Sequence, residues 1–138
     1  MGKTIGIIGF GSIGKKVAKL AHAFDMKVLV NTRTVDKSYE SGSLHFVSKE
    51  ELFSQSDIVT VHCPLFPETK KMVNASMLSL MKKNAVIVNT SRGGIVDEQA
   101  LCDALNNGKI AGAAVDVVSV EPIKTDNPLL KAKNCVIT

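Results

Sequence analysis

Ile5-Gly6-Ile7-Ile8-Gly9-Phe10-Gly11-Ser12-Ile13-Gly14-Lys15-Lys16-Val17-Ala18 joins a strand, a turn and a helix without a residue to spare. The apolar run over 4–8 reads as a buried strand, and a helical pattern begins directly behind Gly9-x-Gly11-x-x-Gly14. Each glycine has a mechanical reason. The first permits a tight turn, the second lets a pyrophosphate approach bare backbone, and the third lets helix and strand pack closely. The new helix points unpaired N–H groups and the positive end of its dipole at the same place. Glycine turns are common, so the motif alone is a weak signal. A strand before it and a helix behind it favour a dinucleotide-binding turn over a purely structural one. Gly9, Gly11, Ser12, Ile13 and Gly14 are therefore the first candidate cofactor contacts.

Outward from that turn, strands and helices alternate. Ile13, Val17, Leu20, Ala21 and Phe24 recur at helical spacing and mark one apolar face of the first helix. Lys15, Lys16, Lys19 and His22 fall largely elsewhere on it. A second strand is predicted over 27–30, a polar, turn-rich loop over 31–43 and a short third strand over 44–47. Ser48-x-x-Glu51 is a capping box that opens a short helix through Phe53. A fourth strand over 58–61 leads into His62-Cys63-Pro64-Leu65. Asn74 or Ser76 caps a helix that runs to about Lys83, and a fifth strand over 85–88 leads into Asn89-Thr90-Ser91-Arg92-Gly93-Gly94. Asp97 caps the next helix, and Gly108 stands where a C′ glycine belongs. A sixth strand over 111–115 ends at Asp116, and beyond Pro122 and Pro128 the residues Cys135-Val136-Ile137-Thr138 open one more. This alternation implies a parallel sheet covered on both faces. The expected fold is α/β, a doubly wound Rossmann type in a single domain over residues 1–138.

At 138 residues the chain suits one domain and is long enough to bury a real core. Hydrophobic residues at 45% and charged residues at 22% are the proportions of an ordinary globular domain. No apolar run approaches membrane-spanning length and no leader pattern opens the chain, so no membrane partner is expected. Cys63, Cys102 and Cys135 are odd in number and lack metal-ligand spacing. They read as free thiols in a reducing, cytoplasmic compartment, with no metal site. The net charge of +4 comes largely from scattered pairs such as Lys15-Lys16, Lys70-Lys71 and Lys82-Lys83. Aromatics make up only 4%, too few for base-stacking platforms, so nucleic acid is not an expected partner. A small polyanionic cofactor together with solvated lysines accounts for the excess.

In such sheets ligands bind beyond the carboxyl ends of the strands, so the residues just after each strand carry the chemistry. A cofactor with a free ribose 2′-hydroxyl wants an acid roughly 20 residues past the glycines. This chain has Asn31-Thr32-Arg33-Thr34 there. A guanidinium suits a 2′-phosphate, which a carboxylate would repel, so NADP(H) is favoured and NAD(H) stays possible. The competing reading makes Arg33 a solvated loop residue. Arg92, flanked by Gly93 and Gly94, has room to clamp a carboxylate in bidentate fashion; otherwise it is a surface arginine. Asp116 closes an apolar strand, where a carboxylate without a partner is costly. It either accepts from a carboxamide or caps local backbone. Among the histidines, His22 and His45 read as structural or surface groups. His62 is better placed, but nothing in the sequence pairs it with an acid.

Taken together, these segments resemble the coenzyme domain of the D-isomer-specific 2-hydroxyacid dehydrogenases, which include hydroxypyruvate and glyoxylate reductases and phosphoglycerate dehydrogenases. The resemblance runs over nearly the whole chain. It is carried by residues 2–14, by Val61-His62-Cys63-Pro64-Leu65 with Pro67-Glu68-Thr69, and by Asn89 through Glu98. Ala114-Val115-Asp116-Val117 with Glu121-Pro122, and Asn127-Pro128-Leu129-Leu130, complete it. The resemblance implies that Arg92 holds the substrate carboxylate and keto oxygen. It implies that Glu121 stabilises a protonated histidine and that Asp116 meets the nicotinamide carboxamide. It also implies that Asn31, Thr32, Cys63, Pro64, Thr69, Thr90 and Ser91 stand with the glycine turn as cofactor contacts. His62 matches a residue that is not the family's proton donor.

Two departures from the family pattern are expected to matter. Thr32-Arg33 replaces the acid after the second strand, as in NADP-preferring members. The catalytic histidine is due in a Pro-His step just past Thr138, and the substrate domain that wraps the coenzyme domain is absent from these residues, as in an excised domain. The expected function is hydride transfer between a nicotinamide cofactor and a small 2-keto or D-2-hydroxy acid by the parent protein, a homodimer through this domain. The chain alone is expected to bind cofactor without turnover. The alternative is a cofactor-sensing interaction module of the corepressor kind on the same fold.

Overall fold

In the computed structural model, which describes residues 2–138, each apolar run becomes a short strand. They are β1 (Thr4–Ile8), β2 (Lys27–Asn31), β3 (Leu44–Phe46), β4 (Ile58–Val61), β5 (Val86–Asn89), β6 (Gly112–Val115) and β7 (Cys135–Ile137). All pair in parallel in one sheet of order β3-β2-β1-β4-β5-β6-β7. The helices are α1 (Ser12–Ala23), α2 (Lys49–Gln55), α3 (Ala75–Leu80) and α4 (Glu98–Asn106). This is the doubly wound Rossmann-type α/β fold. None of these helices is long and apolar enough to cross a membrane.

Strand register decides which side chains meet. Ile5 and Ile7 of β1 share a face with Val28 and Val30 of β2, and α1 packs on them. Ile8, Leu29, Val59, Val61, Ile87 and Ala113 point the other way. They form the larger core with Leu52 and Phe53 of α2, Leu78 of α3 and Leu101 of α4. The sheet is walked outward from β1 to β3 and then from β4 to β7. Right-handed crossovers on the two walks put α1 on one face and the other three helices opposite.

Four expectations change. The apolar face read from the spacing of α1 is only partly the buried one: Ala21 is buried and Val17 packs on the core, but Ile13, Leu20 and Phe24 are 63%, 61% and 71% exposed. Gly14 and Ala18, outside that predicted face, turn to the sheet beside Ala21. A Cβ on Gly14 would overlap the Gly9 carbonyl oxygen, so α1 lies too close to β1 for large side chains, which turn outward. The sheet is not evenly covered. On the α1 side, Val86, Val88, Gly112 and Ala114 stay only half-buried, because no second helix of these residues lies over them. Asn74, not Ser76, caps α3, its Oδ1 accepting from Met77 N at 3.0 Å, and the helix stops at Leu80. The loop after β2 begins at residue 32 and holds a 3₁₀ turn over Lys37–Tyr39.

Candidate functional site

The site lies where the walk of the sheet reverses. β1 and β4 are neighbours whose connections depart in opposite directions, so a crevice opens beyond their carboxyl ends. Gly9, first after β1, has φ of +89°, a conformation open to glycine and strained for other residues. A Cβ there would also lie 2.7 Å from the Cys63 nitrogen, so the turn is pressed against the chain leaving β4. Gly9 N donates to Asn31 O at 2.8 Å and His62 N to Ile8 O at 2.7 Å, which ties three strand exits together. The resulting cleft has a volume of about 560 Å³. Gly9, Phe10 and Gly11 wall it on one side, with Asn31, Thr32 and Arg33 beyond β2. His62, Cys63, Pro64, Phe66, Glu68, Thr69 and Met72 wall it from beyond β4.

The residues present fit a dinucleotide. A Cβ built on Gly11 meets no atom within 4 Å, so this glycine presents bare backbone to the cleft. α2, α3 and α4 are each closed by a capping side chain, Ser48, Asn74 and Asp97. α1 has none and no acid in its first turn. Its unpaired N–H groups point out of the helix at the end adjoining the cleft, an arrangement that suits a phosphate. Beyond β2 the first acid is Asp36, and it is already engaged. Its Oδ1 accepts from Ser38 Oγ at 2.6 Å and from Ser38 N at 3.0 Å, and these bonds hold its pKa below the ordinary carboxylate value. Arg33 lines the cleft and, among the described residues, forms no hydrogen bond or ion pair. Glu68 is the one carboxylate of the cleft wall.

Apart from Glu68, the β4 side of the wall is uncharged. His62 Nε2 lies 2.9 Å from the buried Thr60 hydroxyl, and burial lowers the pKa of the ring, which stays neutral near pH 7. Burial likewise raises the pKa of the Cys63 thiol, making it inert rather than nucleophilic. The Thr69 hydroxyl is consumed within its own loop, donating to Pro64 O at 2.8 Å and accepting from Phe66 N at 2.7 Å.

Beyond β5 and β6 lies a second group of loops, outside the cleft wall. Asn89 is buried, its Nδ2 donating to Arg92 O at 3.0 Å and its Oδ1 accepting from Ser91 N at 3.1 Å. Ser91 Oγ donates to the Cys63 carbonyl and joins this turn to the cleft, while Thr90 is exposed beside it. Arg92 is exposed, with Nη1 donating to Ser91 O at 2.8 Å. A Cβ on Gly93 would overlap the Val118 carbonyl group, so the Arg92 loop packs directly on the loop that carries Glu121. That second loop is held by Glu98, which accepts from Ser119 N at 3.3 Å, from the Ser119 hydroxyl, and from Asn127 Nδ2 at 3.0 Å. Glu121 is exposed, its Oε1 accepting from Val118 N at 3.3 Å. Asp116, closing β6, is exposed and accepts from Thr138 Oγ1 at 2.7 Å.

The model of a known family matches residues 1–138: the NAD binding domain of the D-isomer specific 2-hydroxyacid dehydrogenases. The chain belongs to that family. A hydroxypyruvate reductase of Blautia hydrogenotrophica is 52% identical over 99% of this dehydrogenase domain and 42% of its own length. The NAD-dependent formate dehydrogenase of Staphylococcus aureus, solved with NAD, superposes with a TM-score of 0.91 at 38% identity. That match covers 100% of the domain and 41% of the enzyme. An acyclic imino acid reductase solved with NADPH and D-Arg superposes with a TM-score of 0.85 at 39% identity, over 99% of the domain and 42% of the enzyme. The chain thus spans about two fifths of the length of the relatives it matches.

Of the residues singled out from the sequence, the cleft brings together Gly9, Gly11, Asn31, Thr32, Arg33, Cys63, Pro64 and Thr69. Ser12, Ile13 and Gly14 form the adjoining first turn of α1, and Gly14 is buried there. Thr90, Ser91, Arg92, Asp116 and Glu121 stand along the same carboxyl edge, outside the cleft wall. Sequence reasoning passed over Phe10, Phe66 and Met72, which line the cleft without any chemical signature. It also passed over Asn89, whose side chain closes its own turn onto Ser91 and Arg92, and Glu98, whose side chain reaches Ser119 and Asn127 of a loop distant in sequence. A polar residue closing an apolar strand is the one signal that marked Asn89.

Proposed function

We propose that residues 1–138 are the cofactor-binding domain of an oxidoreductase that reduces a small 2-keto acid to the D-2-hydroxy acid. NADP(H) is the favoured cofactor, with NAD(H) admitted. One observation supports that preference above others: Arg33 stands in the cleft with no bonded partner, while the first acid after β2 is turned away onto Ser38. A 2′-phosphate there gains a guanidinium and meets no carboxylate from that loop. Gly9, Gly11 and the first turn of α1 would hold the pyrophosphate, and Asn31 and Thr32 would flank the adenosine ribose.

When bound, the nicotinamide supplies a hydride to the substrate carbonyl carbon. Arg92, supported on Asn89 and Gly93, orients the substrate through its carboxylate and keto oxygen. Neither His62 nor His22 is proposed as the source of the proton that completes the alcohol. His62 is neutral and bonded to Thr60, and His22 is bonded to Ser43 at 3.0 Å on the outer side of α1. A histidine of the parent protein, held in its charged form by the Glu121 carboxylate, is the proposed donor. The parent is proposed to work in a reducing, cytoplasmic compartment as a homodimer.

Calorimetric titration with NADPH and NADH tests this reading. The expected result is tighter binding of NADPH, with Arg33→Ala costing about tenfold in NADPH affinity and little in NADH affinity. Tighter binding of NADH, unchanged by the substitution, would sink the preference and leave the family assignment in place.

A further inference from the structure

Arg33 projects from a segment that the backbone does little to hold. Between β2 and β3 the chain runs through residues 32–43 with a single 3₁₀ turn, Lys37–Tyr39. Residues 32–35 make no hydrogen bonds among the described residues. The polar bonds of the loop are mostly local: Ser38 to Asp36, and Ser43 N and Leu44 N to Ser41 Oγ at 3.3 and 3.1 Å. Before Arg33 the anchor is Asn31, whose carbonyl accepts from Gly9 N and whose Nδ2 donates to Val47 O at 3.0 Å. After it, the first anchor beyond the loop itself is aromatic. The Phe10 ring meets Tyr39 edge-to-face at 5.3 Å between centroids and Phe46 of β3 edge-to-face at 5.6 Å. Lys15 Nζ sits 4.8 Å from the Tyr39 ring centroid. Phe10 stands between the first two glycines of the turn and lines the cleft, whereas Tyr39 does not line it.

We propose that Phe10, Tyr39 and Phe46, with Lys15 against the Tyr39 ring, form a clamp that pre-organises the Arg33 loop and so sets the cofactor preference of the cleft. Tyr39 is its specificity-determining positioning residue. It acts through Arg33 without touching the cofactor, and the inference rests on the proposed role of Arg33 at a 2′-phosphate. The physical reason is the ordering cost of binding. A guanidinium on a loose loop must be immobilised when the phosphate arrives, and that cost is subtracted from NADPH affinity alone. A loop fixed beforehand by ring contacts has already met it. Phe10 makes the coupling direct, because the turn that cradles the pyrophosphate carries the ring that holds the loop.

The test is titration of the chain with NADPH and with NADH in wild type, Arg33→Ala, Tyr39→Ala and Tyr39→Phe, alongside limited trypsin cleavage after Arg33. Tyr39→Ala is expected to weaken NADPH about tenfold, to change NADH less than about threefold, and to speed cleavage after Arg33. Tyr39→Phe keeps the ring and is expected to match wild type in both assays. If Arg33→Ala weakens NADPH while Tyr39→Ala weakens both cofactors equally or neither, the clamp is refuted and the Arg33 reading survives. Unchanged cleavage in Tyr39→Ala refutes the clamp as well. If Arg33→Ala leaves NADPH affinity intact, the reading of Arg33 itself has failed and the clamp falls with it.

Discussion

After β5 the chain turns at once on a buried asparagine, whereas after β2 it runs through residues 32–43 before it pairs again. Both loops stand at the carboxyl edge of one sheet, and they are fixed by different physics. The β5 loop is held by side chains that satisfy backbone groups. Asn89 bridges Ser91 and Arg92, Ser91 reaches the Cys63 carbonyl, and Gly93 lies against the backbone of Val118. The β2 loop is held mainly by half-exposed rings and by bonds within itself, with exposed contacts from Ser43 to His22 of α1 and from Glu40 to Phe46 N. Buried hydrogen bonds and close backbone contacts make folding and loop shape a single event. Ring contacts at the surface leave the loop adjustable with little cost to the fold. The residue proposed to hold substrate, Arg92, therefore stands on the part that cannot change without unfolding. Arg33, proposed to discriminate cofactors, stands on the part that can.

The comparison breaks most visibly at Gly93. Gly93→Val forces apart the Arg92 and Glu121 loops and should destabilise by about 3 kcal/mol in urea unfolding. A loss below about 0.5 kcal/mol would show that the two loops slide freely and are not one unit. Asn89→Ala leaves the Ser91 N–H and the Arg92 carbonyl without their partner in a partly buried setting and should cost about 2 kcal/mol by the same measurement. Arg33→Ala is the matching change on the other loop. Stability should stay within about 0.5 kcal/mol of wild type, while NADPH binding weakens by about 1.4 kcal/mol. A large stability loss there would erase the distinction between the loops.

The smallest effect lies at the opposite edge of the sheet and separates global stability from loop behaviour. Asp57 accepts from Thr4 N at 2.8 Å and pairs with Lys82 Nζ at 3.2 Å, and the Thr4 bond is the larger cause of its lowered pKa. A depressed carboxylate contributes stability above its unfolded pKa, near 3.9, and loses that contribution as pH falls through the folded value. Asp57→Asn should therefore cost about 1 kcal/mol at pH 7, with the gap to wild type closing below roughly pH 4. A gap that persists at pH 3 would mean that the side chain acts through shape and not through charge.

Much of this was legible in the chain itself. The glycine turn, the strand runs and the caps Ser48 and Asp97 are local signals, each decided within a few residues. They place Gly9, Gly11, Arg33 and Cys63 at strand exits, and the structure gathers all four on one cleft wall. The orientation of α1 was not legible, because periodicity identifies an apolar stripe but not the distance to the sheet. Gly14 sets that distance, and at such close range Ala18 and Ala21 fit where Leu20 and Phe24 do not. The partner of Asp116 was not legible either: its carboxylate accepts from Thr138, which no neighbour in sequence reports.

The sequence by itself determined the parallel α/β fold, the crevice at the reversal point and the family, because each rests on short-range pattern and on motifs in order. The tertiary structure alone decided which face of α1 is buried and that Asp36 is spent on Ser38. It also decided that Glu98 holds the Glu121 loop and that Phe10 meets Tyr39 and Phe46. Those are contacts whose geometry is set only when the strands pair and the loops between them close, and no local preference encodes where a loop lands.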